Sequence, residues 1–402
     1  MERDPRSTNS HTPAPPHDAD RPSAAGSALG RPYPAIAAVV TIVLLSALLF
    51  DVLAARRHLD AGPGATVSVT PTLRAKETTP PAATPTALAL PTGTSVVSMA
   101  MVSASDGWAI VAPTASSAAL AHYTGGRWML SGDSYAGVSL TDIAMDAHDD
   151  GWAVGAYADQ VSGGVVLRYS GGRWDQVPTP PIPFAGQRVW AFSSSQVLVL
   201  ASLPNEQSAL LRYNNGAWAE TVSPRGITDM SVLSADDVWA ACFDGHILHE
   251  HGGRWATYTI GGQASGQGTQ PLAISMLSDS DGWAAGLTNA TPQGMFLARF
   301  DGHTWTRVLG PAASGPTEIH SIAMVSPNEG WAGGDLLSGM SLEAVLLHFV
   351  NGQWETTPAP FSGGIGKIVM LSATEGWAAV GGGAAGLLHY QNGRWTPYQP
   401  DA

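Results

Sequence analysis

Cysteine occurs once in 402 residues, at Cys242, so no disulfide can form within the chain. Charge is also scarce, at 13% of residues, and bases are the scarcer kind: 19 against 32 acids, a net charge of −13. Over 95–402 there are 11 Lys and Arg against 25 Asp and Glu, a net −14. Seven of those 11 bases (Arg127, Arg168, Arg173, Arg212, Arg254, Arg299 and Arg394) recur at equivalent positions, leaving too few to line one face with cations. Nucleic acid is therefore excluded as a partner, because its phosphates demand several bases together. There is no Gly-rich phosphate loop and no Gly-x-Ser-x-Gly after a strand, so neither a nucleotide site nor a serine nucleophile is indicated. Long apolar runs are missing too, with one exception near the N-terminus.

The chain is instead rich in glycine (46), proline (29) and tryptophan (14), and the tryptophans are periodic. One set closes an Asp-Gly-Trp-Ala unit at Trp108, Trp152 and Trp283, with Glu for Asp at Trp331 and Trp377, Asp-Val-Trp at Trp239, and Leu198 in the third repeat. The other set follows a turn: Trp128, Trp174, Trp218, Trp255, Trp305, Trp354 and Trp395. A period of about 40–50 residues with several short strands per unit is the mark of a β-propeller. Seven units over 95–402 predict an all-β, seven-bladed propeller of four-stranded blades. Repeat seven shows the strands as 367–371, 376–380, 386–390 and 395–398. Between third and fourth strands stand Gly125-Gly126, Gly171-Gly172, Asn215-Gly216, Gly252-Gly253, Asn351-Gly352 and Asn392-Gly393, the pairs that type I′ hairpin turns prefer. Repeat five departs, with Asp301-Gly302-His303-Thr304, which predicts a longer loop or a bulge.

The tryptophans are expected to be structural. Each buries roughly 150–250 Å², an upper bound of about 4–6 kcal/mol at ~25 cal/mol per Å². Each indole N–H is expected to need a fixed acceptor. Trp190 alone stands outside the pattern, either as a stacking platform for sugar or as volume replacing the tryptophan missing at Leu198. Cys242 reads as a small buried filler.

A second constellation pairs charges. Six residues before the turn tryptophan every repeat carries a base: His122, Arg168, Arg212, His249, Arg299, His348 and His389. Two residues before the first tryptophan stand Asp106, Asp150, Asp237, Asp281, Glu329 and Glu375, with Gln196 the exception. Buried charges persist when paired, so matched acids and bases predict latches that hold the blades rather than catalytic groups. No catalytic, metal or cofactor site is expected. His246, His249 and His251 are close in sequence, but their side chains are expected to diverge. Asp149-Asp150 and Asp279 to Asp281 lack the spacing of a calcium loop. Asn289-Ala290-Thr291 is a formal glycosylation acceptor.

The exceptional apolar run is Pro32 to Phe50, 19 residues without a charge. At about 1.5 Å per residue it is long enough to cross a hydrocarbon layer of about 30 Å. The organisation expected is a disordered cytoplasmic tail over 1–31, a transmembrane signal-anchor helix over 32–55, a Pro/Thr-rich linker over 56–94 and the propeller over 95–402. The propeller is expected outside the cytoplasm, although bases flank the helix on both sides and the bias is small. The alternative is secretion after signal-peptide cleavage near Ala54 or Ala55. Polyproline geometry would let the linker span up to about 110 Å.

The pattern Ser-x-x-Asp-Gly-Trp-Ala-x-Gly at Ser278 to Gly286, followed by Gly-Gly-x-Trp or Asn-Gly-x-Trp, resembles bacterial propellers with photosystem II stability/assembly factor repeats. More distantly it is similar to Asp-box, sialidase-type repeats. The Asp-box Ser-x-Asp-x-Gly-x-x-Trp is not matched, because tryptophan directly follows glycine, and the sialidase arginine cluster has no counterpart. The resemblance implies a propeller over 95–402. Together the features predict a membrane-anchored module that binds a protein or glycan at one rim or the central channel. The alternative is an extracytoplasmic polysaccharide hydrolase or lyase.

Overall fold

The computed structural model of the protein describes residues 89–399, apart from 91–93, 115–116, 160–162, 262–267, 289–293, 313–314, 339–340, 360 and 382–385. The tail, the 32–55 segment and the glycosylation triplet lie outside the described residues. The described chain forms seven four-stranded antiparallel sheets. They run over 96–136, 138–176, 185–222, 227–259, 269–308, 317–356 and 364–397, called blades 1 to 7. Each blade is a meander with its strands in sequence order. The first strands of neighbouring blades lie against one another around the ring, and blade 7 meets blade 1.

Strand composition follows from this layering. A second strand has blades on both faces, so Asp150–Tyr157 is buried through its first six residues. A fourth strand lies at the edge and keeps one buried tryptophan among exposed neighbours, as in Arg173–Gln176. Repeat seven is longer than its sequence pattern: its strands are Gly364–Ser372, Glu375–Gly381, Leu387–Gln391 and Arg394–Pro397. Only Ala373 and Thr374 separate the first two, so pairing runs to the turn itself. Third and fourth strands are joined as expected by residues at positive φ, for example Asn215 (49°) and Gly216 (92°). Repeat five uses a four-residue loop instead. There the Asp301 carboxylate accepts the His303 and Thr304 backbone N–H groups at 2.9 and 2.7 Å.

The Gly of each Asp-Gly-Trp unit has a packing cause. Gly107, Gly151, Gly282, Gly330 and Gly376 stand opposite Met101, Met145, Met276, Met324 and Met370 of the first strand. In each case the methionine sulfur occupies the place a β-carbon would take. Blade 4 solves the same contact with Val232 opposite Val238. Gly282→Val alone is therefore expected to cost about 1–3 kcal/mol by overpacking. Adding Met276→Val should recover most of that loss, as thermal melts of the single and double variants will show.

Eleven of the thirteen repeat tryptophans are buried. Five of the six indoles of the first set, all but Trp152, pack on the turn tryptophan of the next blade. The ring centroids are 5.5 Å apart for Trp108 and Trp174, 5.4 Å for Trp283 and Trp354, and 5.5 Å for Trp331 and Trp395. Trp255 is half-buried because its counterpart in blade 3 is Leu198. Trp190 lies directly opposite Leu198 on the neighbouring strand and packs into the same cluster, so it serves as replacement volume. Cys242 is fully buried, and burial pushes its thiol up to about 12.

The expectation of a fixed acceptor for every indole is not met. Trp218 donates to the Pro178 carbonyl at 2.9 Å, while the buried repeat indoles have no protein acceptor among the described residues. Indole pairs instead meet edge to face, at 79–90° for Trp108–Trp174, Trp283–Trp354, Trp331–Trp395 and Trp128–Trp377.

Among the described residues the ring closes without exchanging a strand between its ends. Blade 7 supplies Trp377, Ala379 and Leu387 to a cluster with Met99, Tyr123 and Trp128 of blade 1. The Tyr398 hydroxyl accepts the Trp128 backbone N–H at 3.0 Å. Propeller contacts begin inside the stretch assigned to the linker: Leu90 is buried and donates its N–H to the Trp128 carbonyl at 2.9 Å. Gly261 does the same to Trp305 at 2.7 Å in the connection from blade 4 to blade 5, so the chain enters both blades along the fourth strand.

Candidate functional site

Alternation on the strands decides where the charged pairs meet. In a strand, residues two apart share a face, so each acid lies on the same face as its tryptophan. The base stands directly opposite that tryptophan on the third strand, as in Trp108 opposite His122 and Trp283 opposite Arg299. One side chain then covers the indole and reaches the carboxylate. His122, His249, His348 and His389 stack on Trp108, Trp239, Trp331 and Trp377 with centroids 4.0–4.4 Å apart. Arg168 and Arg299 lie over Trp152 and Trp283 at 5.5 and 5.7 Å. The imidazole Nε2 atoms stand 2.8 Å from Asp106, 2.8 Å from Asp237, 2.6 Å from Glu329 and 2.5 Å from Glu375. Arg168 reaches Asp150 at 3.5 Å and Arg299 reaches Asp281 at 3.3 Å.

Blade 3 differs, and its neighbour compensates. Its acid is Gln196 and its tryptophan is Leu198, so Arg212 has neither partner at home. Arg212 instead bonds Glu250 of blade 4 at 2.5 Å and the Ala235 carbonyl at 3.2 Å. Glu250 occupies the position that is Tyr123, Tyr169, Tyr213, Phe300, Phe349 or Tyr390 elsewhere. Those rings pack on the preceding blade's tryptophan, for instance Tyr390 on Trp331 at 5.0 Å. Leu198 needs no such ring, and the position became the missing acid. The signal in the sequence is the glutamate that breaks an otherwise aromatic column.

The inner strands carry a ring that periodicity alone did not reveal. Ser98, Asp142, Arg188, Asp229, Ala273, Ser321 and Lys367 are equivalent, each two residues before the one opposite the Asp-Gly-Trp tryptophan position. Two acids and two bases balance there. Lys367 stands 3.9 Å from Asp142, and Arg188 stands 3.8 Å from Asp229. Asp142 is buried, accepting from Ser98 at 2.5 Å and from the Val189 backbone at 3.0 Å, so one carboxylate ties three blades together. Burial pushes the Asp229 carboxyl up, more than Arg188 and Lys367 bring it down. Close by in chain position, Glu318 and Asp335 face each other across blade 6, with His320 at 3.9 and 2.9 Å respectively. Burial pulls the His320 imidazole down, but the Asp335 bond and the two carboxylate charges outweigh it and raise it overall.

Two rim clusters run against the expectation of no metal-ligating set: Asp106, His122 and His148, and Asp237, His249 and His251. In each, the three donor atoms lie within 4.8 Å of one another. His249 and His251 were expected to diverge, but they are two residues apart on one strand and therefore share a face. His251 stands directly opposite Asp237. Only His246 turns away, to Asp244 at 3.0 Å.

Among the described residues the exposed large hydrophobics are Val97, Val222, Phe243 and Leu309, which belong to four different blades or their connections. They sit at or beside the start of a first strand, the end of a second or the end of a fourth. In an antiparallel meander those points share one end of the sheet. All four thus belong to one rim, and the acid–base pairs belong to the other.

No protein-family model matches the chain, and no curated protein matches it. Solved structures do. One is YCF48 bound to D1 peptide, with a TM-score of 0.55 and 17% identity, covering 76% of this chain and 96% of that one. Another is YCF48 from Cyanidioschyzon merolae, with a TM-score of 0.56 and 15% identity, covering 77% of this chain and 99% of that one. A third is the GH74 xyloglucanase from Xanthomonas campestris, with a TM-score of 0.53 and 14% identity, covering 78% of this chain and 54% of that one. The resemblance to photosystem II assembly-factor propellers therefore holds for the fold.

Proposed function

We propose that this propeller is an interaction module, held outside the cytoplasm by a signal-anchor helix over 32–55 and a linker that ends near residue 89, and that it binds a protein or glycan at one rim. The observation that carries this reading is the collection of Val97, Val222, Phe243 and Leu309 at a single rim, where the blade-to-blade connections and the second-to-third-strand loops also lie. Leu309 is 97% exposed, and an apolar side chain left so open on a binding rim contributes once a partner covers it. The acids of the opposite rim are engaged by bases, which favours binding over acid–base chemistry. The similar fold of YCF48, which takes a D1 peptide, supports a peptide-like ligand. The second reading, a polysaccharide hydrolase, draws on Glu318 and Asp335, which face each other across one strand pair.

The test uses the full chain in detergent against a displayed peptide library and a glycan array, beside Phe243→Asp and Leu309→Asp. The expected result is a set of ligands whose binding falls about tenfold or more in these variants, about 1.4 kcal/mol, with melting temperatures unchanged. Equal binding by both variants would remove this rim as the docking face. Release of reducing ends from a polysaccharide, lost in Glu318→Gln, would favour the hydrolase. Reporter fusions at residue 20 and residue 402 check the orientation: the second alone should be exported.

A further inference from the structure

We propose that the latch rim binds divalent zinc-class cations at two positions, one formed by Asp106, His122 and His148 and the other by Asp237, His249 and His251. A latch needs one histidine. Glu329 with His348 and Glu375 with His389 work with one, at 2.6 and 2.5 Å. Blades 1 and 4 each add a second imidazole beyond that need, and they do so from unrelated positions.

His148 comes from the first turn of blade 2, where the other repeats have Ala104, Ser194, Ala235, Asp279, Pro327 and Ala373. It crosses to blade 1 and stands 2.5 Å from Asp106 Oδ2 by its Nδ1, while His122 Nε2 stands 2.8 Å from Oδ1. His251 lies on the third strand of blade 4 and places its Nδ1 3.6 Å from Asp237 Oδ2, while His249 holds Oδ1 at 2.8 Å. Two independent placements thus reach the same donor set: two imidazoles on the two oxygens of one carboxylate.

That set is the chemistry zinc prefers. Imidazole nitrogen suits zinc, nickel and copper, whereas magnesium and calcium require oxygen around them. Two ligands held at about 2.0–2.1 Å in a tetrahedron lie about 3.3 Å apart. The His251 contact is close to that spacing already. The other histidine–carboxylate contacts are hydrogen-bond distances and must open by less than about 1 Å, while the two imidazole donors of each position lie within 4.8 Å of each other and settle toward the same spacing. His148 can move that far, since its side chain is 75% exposed. His122 and His249 have less freedom, because they stack on Trp108 and Trp239. Each position therefore has one imidazole and one carboxylate that need shift only slightly and one movable imidazole, with a solvent side for a fourth ligand. The first position takes ligands from two blades, so a bound ion there clamps blade 1 to blade 2. The second is contained in blade 4.

The full chain, stripped with chelator, is titrated with ZnCl2 by calorimetry, and bound metal is counted after dialysis. His148→Ala and His251→Ala are each expected to bind one equivalent fewer than wild type, and the double variant two fewer. MgCl2 is expected to give no heat at these positions. Zinc should raise the melting temperature of wild type more than that of His148→Ala, because the variant has lost one of the two positions that take zinc in the folded state. Both replaced side chains are more than 70% exposed, so the variants keep the fold. His148→Gln separates the two roles: it retains a hydrogen-bond donor for Asp106 and is expected to lose the zinc. Either alanine variant matching the wild-type stoichiometry overturns the position it removes, and a wild-type chain that takes up no zinc overturns both.

Discussion

Trp377→Ala is expected to lower stability by about 3–5 kcal/mol, which for a domain of this size is a melting-temperature loss on the order of 10 °C. Trp377 is fully buried at the one joint where the ends of the ring meet. It touches Trp128 at 5.7 Å and 90°, Tyr123 at 5.0 Å, Tyr398 at 5.6 Å and the stacked His389 at 4.1 Å. Among the described residues no strand from one end of the chain enters the blade of the other end, and this cluster and the Tyr398 bond hold the joint. Truncation leaves a cavity among rigid rings that cannot collapse to fill it, the condition for a cost at the upper end of the range. Trp218→Ala is the control. That indole is half-buried and holds one hydrogen bond, so about 1–2 kcal/mol is expected. Calorimetric melts of the full chain decide. If the two variants melt together, the closing joint is no weaker than the others and this account of it is wrong.

Arg212→Ala is the second large effect, again about 3–5 kcal/mol, because it strands a buried charge. The Glu250 side chain is 1% exposed and keeps only the Gly253 N–H, at 2.7 Å, once the guanidinium is gone. The equivalent change at an exposed pair such as Arg173 with Asp175 is expected to cost less than about 1 kcal/mol. A double variant, Arg212→Ala with Glu250→Leu, should recover most of the loss, since an apolar group in place of the stranded charge removes the desolvation penalty. Urea unfolding of the four-member cycle measures the coupling. Additive losses would show that Arg212 acts through the Ala235 carbonyl and not through Glu250.

The sequence carried most of the fold in plain view. Repetition places thirteen tryptophans and the Asn-Gly and Gly-Gly turns, and the period sets the strand count of each unit. Spacing also matches one acid to one base in six of the seven repeats, but it leaves open whether the two pair within a blade or between neighbours. What spacing left obscure was who meets whom between blades. His148 is 42 residues from Asp106, and Arg212 bonds Glu250 38 residues on. Both contacts depend on how one sheet is rotated against the next. Asp142 was unremarkable as a residue of a first strand, yet it ties blades 1, 2 and 3 together because inner strands converge on the axis.

Local chemistry alone determined the strands, the turns, the indole columns and the charge pattern, because a period of two and a preference for positive φ act over a few residues. Only the closed ring decided that Leu198 leaves Trp255 half-open, that Glu250 serves its neighbour's arginine and that a second imidazole reaches Asp106. These are contacts between sheets, and their geometry comes from packing that no single repeat contains.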